Sequence, residues 1–566
     1  MRDLRRQRGA IGLMATLVLL FSLMMLALTV DAGRLYFEKR KLQRVADMAA
    51  MESAASSGLC GTQVPAEVRA LAQASAVRHG YGGDLGAAGN SVDLGYVELD
   101  GAGERRLFQA SASRPEAVRV QATRQVPASL VLGGLWGQRL TLQAVAVAQR
   151  PALAGFSLGS GLASIDTQQS AVLNAVLGGL LGTSLDLDAA SYQGLANARL
   201  NLLQLNQNLP PAAQLDLSAG NVQALLDARL TVDQLLDATA GAANARETLA
   251  VGVRNGLDSL ADVAVGATQV ELADILQVET PAGGGQQALS TDLSALDLVT
   301  ALAFLANKSH AVDVDLGLSL GGLSDLGLKL HVIEPPQIAI GLPGRDANGD
   351  WRTQVSTAQV RLEVGGKVTV LLAEVDLALH LEVAQGWAAL QGIDCGSILP
   401  GDRQVSILAQ PGIASLGLGR YDDIEAASPT PQPIGVKILP PISSSNLVSI
   451  SGAASIAPGQ QTAVDFSVTP GQPLPQQRRV SSPSAGSLDQ GLSTLGNSLN
   501  VSLLNNCALC SLLGPTLGAL KPALIPLISL LGQEVLEPVL KLLGIDLGYA
   551  DVRLMDLDAS SPRLML

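Results

Sequence analysis

Gly155-Phe-Ser157-Leu-Gly159 and Gly317-Leu-Ser319-Leu-Gly321 both have the spacing of a hydrolase nucleophile elbow. That chemistry needs a serine on a sharp turn between a strand and a helix, and a histidine later in the chain to take its proton. Ser319 falls inside an alternating strand pattern, which opposes a turn there, and a chain with 59 glycines meets such patterns by chance. Ser157 is the residue a serine hydrolase reading would use, and it lies before a Gly-Ser-Gly passage and long before any obvious partner. Cys507-Ala-Leu-Cys510 has the spacing of a redox or half-zinc pair, but no second pair and no nearby histidine completes it. With Cys60 and Cys395 these residues form an even set that permits two disulfides. Asp346-Ala-Asn348-Gly-Asp350 alternates hard oxygen ligands, yet Thr357 stands where an EF-hand loop places its glutamate. A turn, which favours Asn, Asp and Gly for backbone reasons, is the simpler expectation. His79, His310, His331 and His380 are scattered singly and are expected to be solvated or locally satisfied. No catalytic residue, cofactor or metal site is expected.

Composition points the same way. Hydrophobic residues make up 48% of the 566, charged residues 15% and aromatics only 3%, so cores must be built from Leu, Val and Ala. Pockets and base-stacking surfaces both lean on rings, and here there are few. The net charge of −13 hides an asymmetry, because residues 1 to 44 hold nine Lys/Arg and three Asp/Glu. The remainder is strongly acidic, which argues against a nucleic-acid partner. No small-molecule substrate is expected either.

The elements that position everything else begin at the amino end. Ala10 to Val30 carries no charge, and at about 1.5 Å per residue it is long enough to cross a hydrocarbon core of about 30 Å. A secretory signal has a shorter apolar region and a small-x-small site, and the nearest candidate, Val30-Asp31-Ala32, has a carboxylate in its middle. An uncleaved single-pass anchor is therefore expected. Arginines 2, 5, 6 and 8 precede the run while Arg34, Lys39, Arg40, Lys41 and Arg44 follow it, so positive charge alone does not orient it. The short leading tail and the acidic, cysteine-bearing body place the amino end inside and residues 31 onward outside. The helix pattern continues from Asp31 to Ser56, with Leu35, Leu42, Ala46, Ala49 and Ala50 as a narrow stripe of mostly small residues. Such a stripe either receives a partner helix or packs on the chain's own next domain.

Arg8-Gly9-Ala10, Val30-Asp31-Ala32-Gly33-Arg34-Leu35-Tyr36, Lys41-Leu42-Gln43 and Ala46-Asp47-Met48-Ala49-Ala50 together resemble the amino-terminal signature of Tad-type (tight adherence, Flp) pilus assembly proteins of the TadE/TadG-like group. The passage up to Ala144-Val145-Ala146-Val147-Ala148 is similar in style to the larger TadG-like members, and beyond about residue 210 the likeness stops. The resemblance implies a bitopic inner-membrane protein with its bulk in the periplasm, partnered by the membrane and by other pilus assembly proteins. Relatives cut by the prepilin peptidase need a Glu five residues after the cleavage Gly. Counting from Gly9, that position is Met14, which opposes processing and polymerisation. The Asp-x-Ser-x-Ser start of a von Willebrand A-type metal site is also missing, since Asp216-Leu-Ser218 and Asp292-Leu-Ser294 lack the second serine.

The expected fold class is α+β. Residues 1–9 form a cytoplasmic tail, 10–30 a transmembrane helix and 31–150 a pilin-like helix plus small sheet. Period-two patterns at 118–126 and 140–148 supply half-buried strands. Residues 151–300 read as a helical subdomain with caps at Ser191, Asn221 and Thr231, and 301–425 as an antiparallel β-rich domain with one wet face and a turn at Gly365-Gly366. Pro/Ser-rich loops with short strands follow at 426–490. Residues 491–566 hold amphipathic helices and a strand, with Pro515, Pro522, Pro526, Lys521 and Glu534/Glu537 breaking an apolar stretch into short pieces. The expected function is a non-catalytic, membrane-anchored component of Tad pilus assembly. An exported lipid- or envelope-binding protein, using the Leu-rich sheet and the apolar tail helices, is the alternative.

Overall fold

The proline-free run from Arg8 to Ala55 forms one helix of 48 residues, α1, about 72 Å long. The computed structural model describes residues 8–55, 65–99, 106–111, 115–129, 138–150, 152–159, 167–218, 220–246, 267–280, 285–308, 310–317, 319–346, 348–371, 373–394, 403–438, 448–457, 459–469, 472–481, 487–503, 514–543, 545, 547–559 and 562–565. They fall into two compact units, one of residues 1–151, 394–401 and 559–566, the other of 152–393 and 402–558.

In the first unit a second helix, α2 (Pro65–Arg78), and the upper half of α1 lie on one face of an antiparallel sheet. Its strands are β1 (Ser91–Leu99), β2 (Arg106–Ala110), β3 (Ala117–Pro127) and β4 (Arg139–Gln149), ordered β2-β1-β3-β4. The two-residue strand Arg563–Leu564 adds beyond β4, with Arg563 opposite Gln149 and Leu564 opposite Ala148. The expected strands at 118–126 and 140–148 are β3 and β4, paired along their full length. The core between helices and sheet is made of small residues: Ala46, Ala49, Ala50 and Ala54 of α1, Ala72 and Ala76 of α2, and Ala122, Ala144, Ala146 and Ala148 of the sheet. Alanine packing lets helix and sheet backbones come close, and Tyr81 is the ring in this core, its hydroxyl donating to the Thr123 carbonyl at 2.9 Å.

The second unit is a mixed α+β body with one large Leu/Val core. β5 (Ala152–Leu158) lies in a five-stranded sheet between Ile338–Gly341 and the carboxy-terminal Tyr549–Ala559. An eight-stranded antiparallel sheet is centred on β6 (Ser324–Glu334), β7 (Gln359–Val370) and β8 (Ala373–Val383). A four-stranded sheet joins 354–356, 387–394, 403–410 and 462–468. The helical segment contains a recurrent device of a three-residue strand running into a capped helix. Leu200-Asn201-Leu202, Leu230-Thr231-Val232 and Leu293-Ser294-Ala295 each bury the apolar residues either side of a cap, and Val270-Glu271-Leu272 repeats the pattern over a 3-10 turn. The strands pair two by two, 199–201 with 292–294 and 229–231 with 269–271.

Several local expectations need correction. Gly365-Gly366 is no turn: β7 runs straight through it and the chain turns at Leu371, whose φ is 55°. Glycine is needed there because a Cβ on Gly365 would sit 2.8 Å from the Leu377 carbonyl, and one on Gly366 2.9 Å from that of Ser324. The alternating pattern around Ser319 does not form a strand there: the strand that begins at Val312 ends at Asp315, and Gly317 beyond it takes a left-handed φ of 60°. Asp188, not Ser191, caps the helix at 189–197, since its carboxylate accepts the Ser191 N–H. The apolar tail is one continuous helix, Gly514–Leu531, with Pro522 and Pro526 inside it. The two prolines are exposed while Leu520, Leu524, Leu527, Ile528 and Leu531 are buried, so the rings and the carbonyls they leave unbonded face water.

Candidate functional site

The chain's long amino-terminal helix changes character half-way along. From Ile11 to Val30 almost every side chain is exposed, including Leu13, Leu17, Phe21, Met24 and Leu28. From Leu42 upward, Leu42, Val45, Ala46, Ala49 and Ala50 are buried in the first unit's own core. Four of the five stripe residues, Leu42, Ala46, Ala49 and Ala50, are thus covered by α2 and by β3 and β4, and Leu35 is half-buried. Between the two zones α1 is latched to the sheet by polar contacts. Asp31 accepts from the Ser129 hydroxyl and Arg34 donates to the Pro127 carbonyl. Glu38 meets Arg124 at 3.3 Å, and the Gln43 amide donates to the Val145 carbonyl at 2.8 Å. Higher up, Glu52 joins α1 to α2 through Arg78 and through His79 at 3.0 Å. Partial burial pushes the Glu52 carboxyl up, but the hydrogen bonds from His79 and Arg78 outweigh it and hold it down at about 2.

What α1 leaves outward above its apolar half is a different face. Tyr36 and Phe37 are 65% and 62% exposed, and Lys39, Arg40, Lys41 and Arg44 are exposed with them. This face was not among the expectations drawn from the small-residue stripe. The signal was available, since residues 36, 37, 40, 41 and 44 fall on one side of a helix of 3.6 residues per turn.

Of the remaining candidates, Ser157, Asp346 and Asp216 are engaged in hydrogen bonds. Ser157 lies inside β5, opposite Ile338 and buried, and its hydroxyl donates to Asp297 at 2.9 Å. Asp297 in turn faces Arg553 at 3.8 Å. The strand continues through Ser157, so the strand-turn-helix geometry of a nucleophile elbow does not form there. Ser319 lies in a connection, outside the strand expected for it. Asp346 accepts the Asn348 and Asp350 N–H groups, each at 2.9 Å, and Arg345 stacks on Trp351 across this turn. Asp216 likewise accepts the Ser218 N–H. Among the described residues no cluster of His, Cys, Asp and Glu could hold a metal. Cys60, Cys395, Cys507 and Cys510 lie outside the described residues, and so does any disulfide between them.

The polar face of the eight-stranded sheet is less wet than the alternation implies. The connection 419–432 folds over it. Arg361 of β7 donates to the carbonyls of Ile424, Ala426 and Ala427 and to Glu382 at 3.1 Å. Glu363 accepts from Arg420 at 2.8 Å and from the Tyr421 N–H at 3.0 Å. His380 is buried beneath Tyr421, with ring centroids 5.0 Å apart and its Nδ1 3.3 Å from the Gly419 carbonyl. His331 is half-buried on the same face. On the other face, helices 488–498 and 514–531 pack against the sheet as part of the unit's core.

Burial pushes the His380 imidazole below its ordinary range, against the Gly419 carbonyl and the charges of Glu363 and Glu382, which act upward. The folded state therefore favours the neutral ring. Its contribution is fully present above the unfolded value of about 6.5 and is lost as pH falls below it. Urea melts at pH 7.5 and 5.5 are expected to show a loss of stability on acidification that is smaller in His380→Gln, and an equal loss in both proteins would remove this assignment.

The geometry defines a class before any comparison: a chain with one long bare apolar helix, latched at its upper half into a small sheet and followed by a larger body with no recognisable active site among the described residues. Residues 9–56 match the family described as Putative Flp pilus-assembly TadE/G-like. Residues 53–148 match the one described as Putative Tad-like Flp pilus-assembly. The amino-terminal region is that of a Tad-type pilus assembly protein. Residues 169–304, which hold the strand-and-cap device, match a domain of unknown function. No curated protein and no solved structure matches the chain.

Proposed function

We propose that the protein is a non-catalytic, membrane-anchored component of Tad pilus assembly, with its amino end in the cytoplasm, residues 10–30 across the inner membrane and both units in the periplasm as a scaffold or anchor. The observation that carries this reading is the split in α1. Among the described residues its apolar half covers nothing, while its upper half belongs to the core of a unit that coincides with the two pilus-assembly matches. An apolar helix of that length left bare is stable only in lipid or against partner helices. The second apolar helix of comparable length, within 518–542, is half-buried and spends its leucines on the second unit's core, which supports a single crossing. The partners of this reading are other pilus assembly proteins.

The test is protease access to spheroplasts carrying the carboxy-terminally tagged chain, with amino-terminal sequencing of the membrane fraction. An intact amino end and an externally digested body are expected. Release of a soluble body cut after Ala32 would overturn the anchored reading, and a cut after Gly9 would show pilin-like processing despite Met14.

A further inference from the structure

We infer that the outward face of α1 just above its apolar half, formed by Tyr36, Phe37, Arg40, Lys41 and Arg44, docks on anionic phospholipid headgroups and sets the depth and rotation of the helix. The inference rests on the anchored reading proposed above. The two acids of the first two turns beyond Val30 are turned to the chain's own sheet, Asp31 to Ser129 and Glu38 to Arg124. Arg34 is drawn inward as well, to Pro127. That leaves the outward face with two rings and three cations, next to Gly33, around which there is open space.

Heights along the helix match a lipid surface. With Val30 at the edge of the hydrocarbon, Tyr36 and Phe37 stand about 9 to 10 Å above it and Arg40 and Lys41 about 15 to 16 Å. Helical side chains lean toward the amino end, here toward the bilayer, so the long cationic stems reach back down by several ångström. The rings then sit at the level of the headgroups, where amphipathic aromatics collect, and the charged ends come down to the phosphates. Arg44, one turn higher, acts through the field of the surface within a Debye length.

The same residues oppose a second copy as occupant. Helix pairing in and near membranes relies on small residues that let backbones approach, whereas two rings and three long cations hold a neighbour away. Two such faces brought together would also set like charges against each other. An anionic surface is complementary to it, and the acidic remainder of the chain is not drawn to that surface.

The test uses the full chain reconstituted in bilayers of phosphatidylcholine containing nitroxide-labelled phosphatidylglycerol or phosphatidylcholine. Arg2, Arg5, Arg6 and Arg8 are changed to Gln throughout, so that only charges beyond Val30 are read. In that background the motionally restricted spectrum is expected to show a several-fold preference for phosphatidylglycerol that weakens in 0.5 M salt. The preference should fall to near unity in Arg40→Gln/Lys41→Gln/Arg44→Gln and stay unchanged in Lys437→Gln, an exposed lysine of the second unit. A preference that survives the triple substitution, or is absent from the start, overturns the inference while the anchor stands. A chain that does not enter the bilayer at all overturns both.

Discussion

Replacing Ala49 with leucine is expected to destabilise the first unit, seen as a fall in amide-exchange protection in β3 and β4 of the full chain in detergent micelles. Ala49 is fully buried where α1 meets α2 and the sheet, among side chains that are themselves mostly alanine and valine. Three extra carbons cannot be absorbed by rearranging small neighbours, so helix and sheet must separate. Overpacking of this kind costs about 1 to 3 kcal/mol, and a core of alanines has little other burial to set against it. A fall in protection of roughly ten- to a hundredfold follows if exchange reports the opening equilibrium, since about 1.4 kcal/mol is a factor of ten. Arg44→Leu, on the outward side of the same helix, should leave protection unchanged. If Ala49→Leu kept full protection, the stripe would not be held by the chain itself, and the partner-helix reading of Leu42, Ala46, Ala49 and Ala50 would return.

Arg361→Met is expected to give the largest loss of stability in the second unit. The guanidinium is buried and satisfies three carbonyls of the connection 419–432 together with Glu382. Methionine fills much of the volume but leaves those acceptors without a donor in a covered site. Removing one side of such an arrangement costs about 3 to 5 kcal/mol, because desolvated groups remain unpaired. Glu382→Gln is the contrast. That carboxylate is 40% exposed, so water replaces much of what is lost and the change should stay within about 1 kcal/mol. Urea unfolding of the two variants side by side reads the difference. Equal and small shifts would mean that Arg361 does not hold the connection over the sheet.

Much of the fold could be read directly from the residues. An uncharged run continued by a proline-free stretch can only be a long helix, and α1 is that helix. β3, β4 and β8 were legible because period-two alternation ties each side chain to one face of a sheet. The caps at Asn221 and Thr231 were legible because their side-chain oxygens meet free N–H groups one turn on. The failures share a cause. Gly365-Gly366 looks like a turn by local preference, but its glycines are set by backbone and side-chain atoms that pass close by from other strands. His380 looks solvated in its strand and is covered by Tyr421, about forty residues further on. The three-residue strands of the helical segment are too short for any period to reveal, and they exist only because each finds a partner some 40 to 90 residues away.

The sequence by itself determined that residues 10–30 form an uncharged apolar helix, that its continuation bears a stripe of small residues, and that sheets with alternating faces follow. Those are properties of period, charge and side-chain volume, which each segment carries alone. Only the tertiary structure decided what fills each face. The alanine stripe is taken by the chain's own sheet, the apolar tail helix by the core of the second unit, and the polar side of the eight-stranded sheet by a connection held on Arg361. Burial of a face depends on which distant segment arrives there with complementary shape, and no local pattern records that.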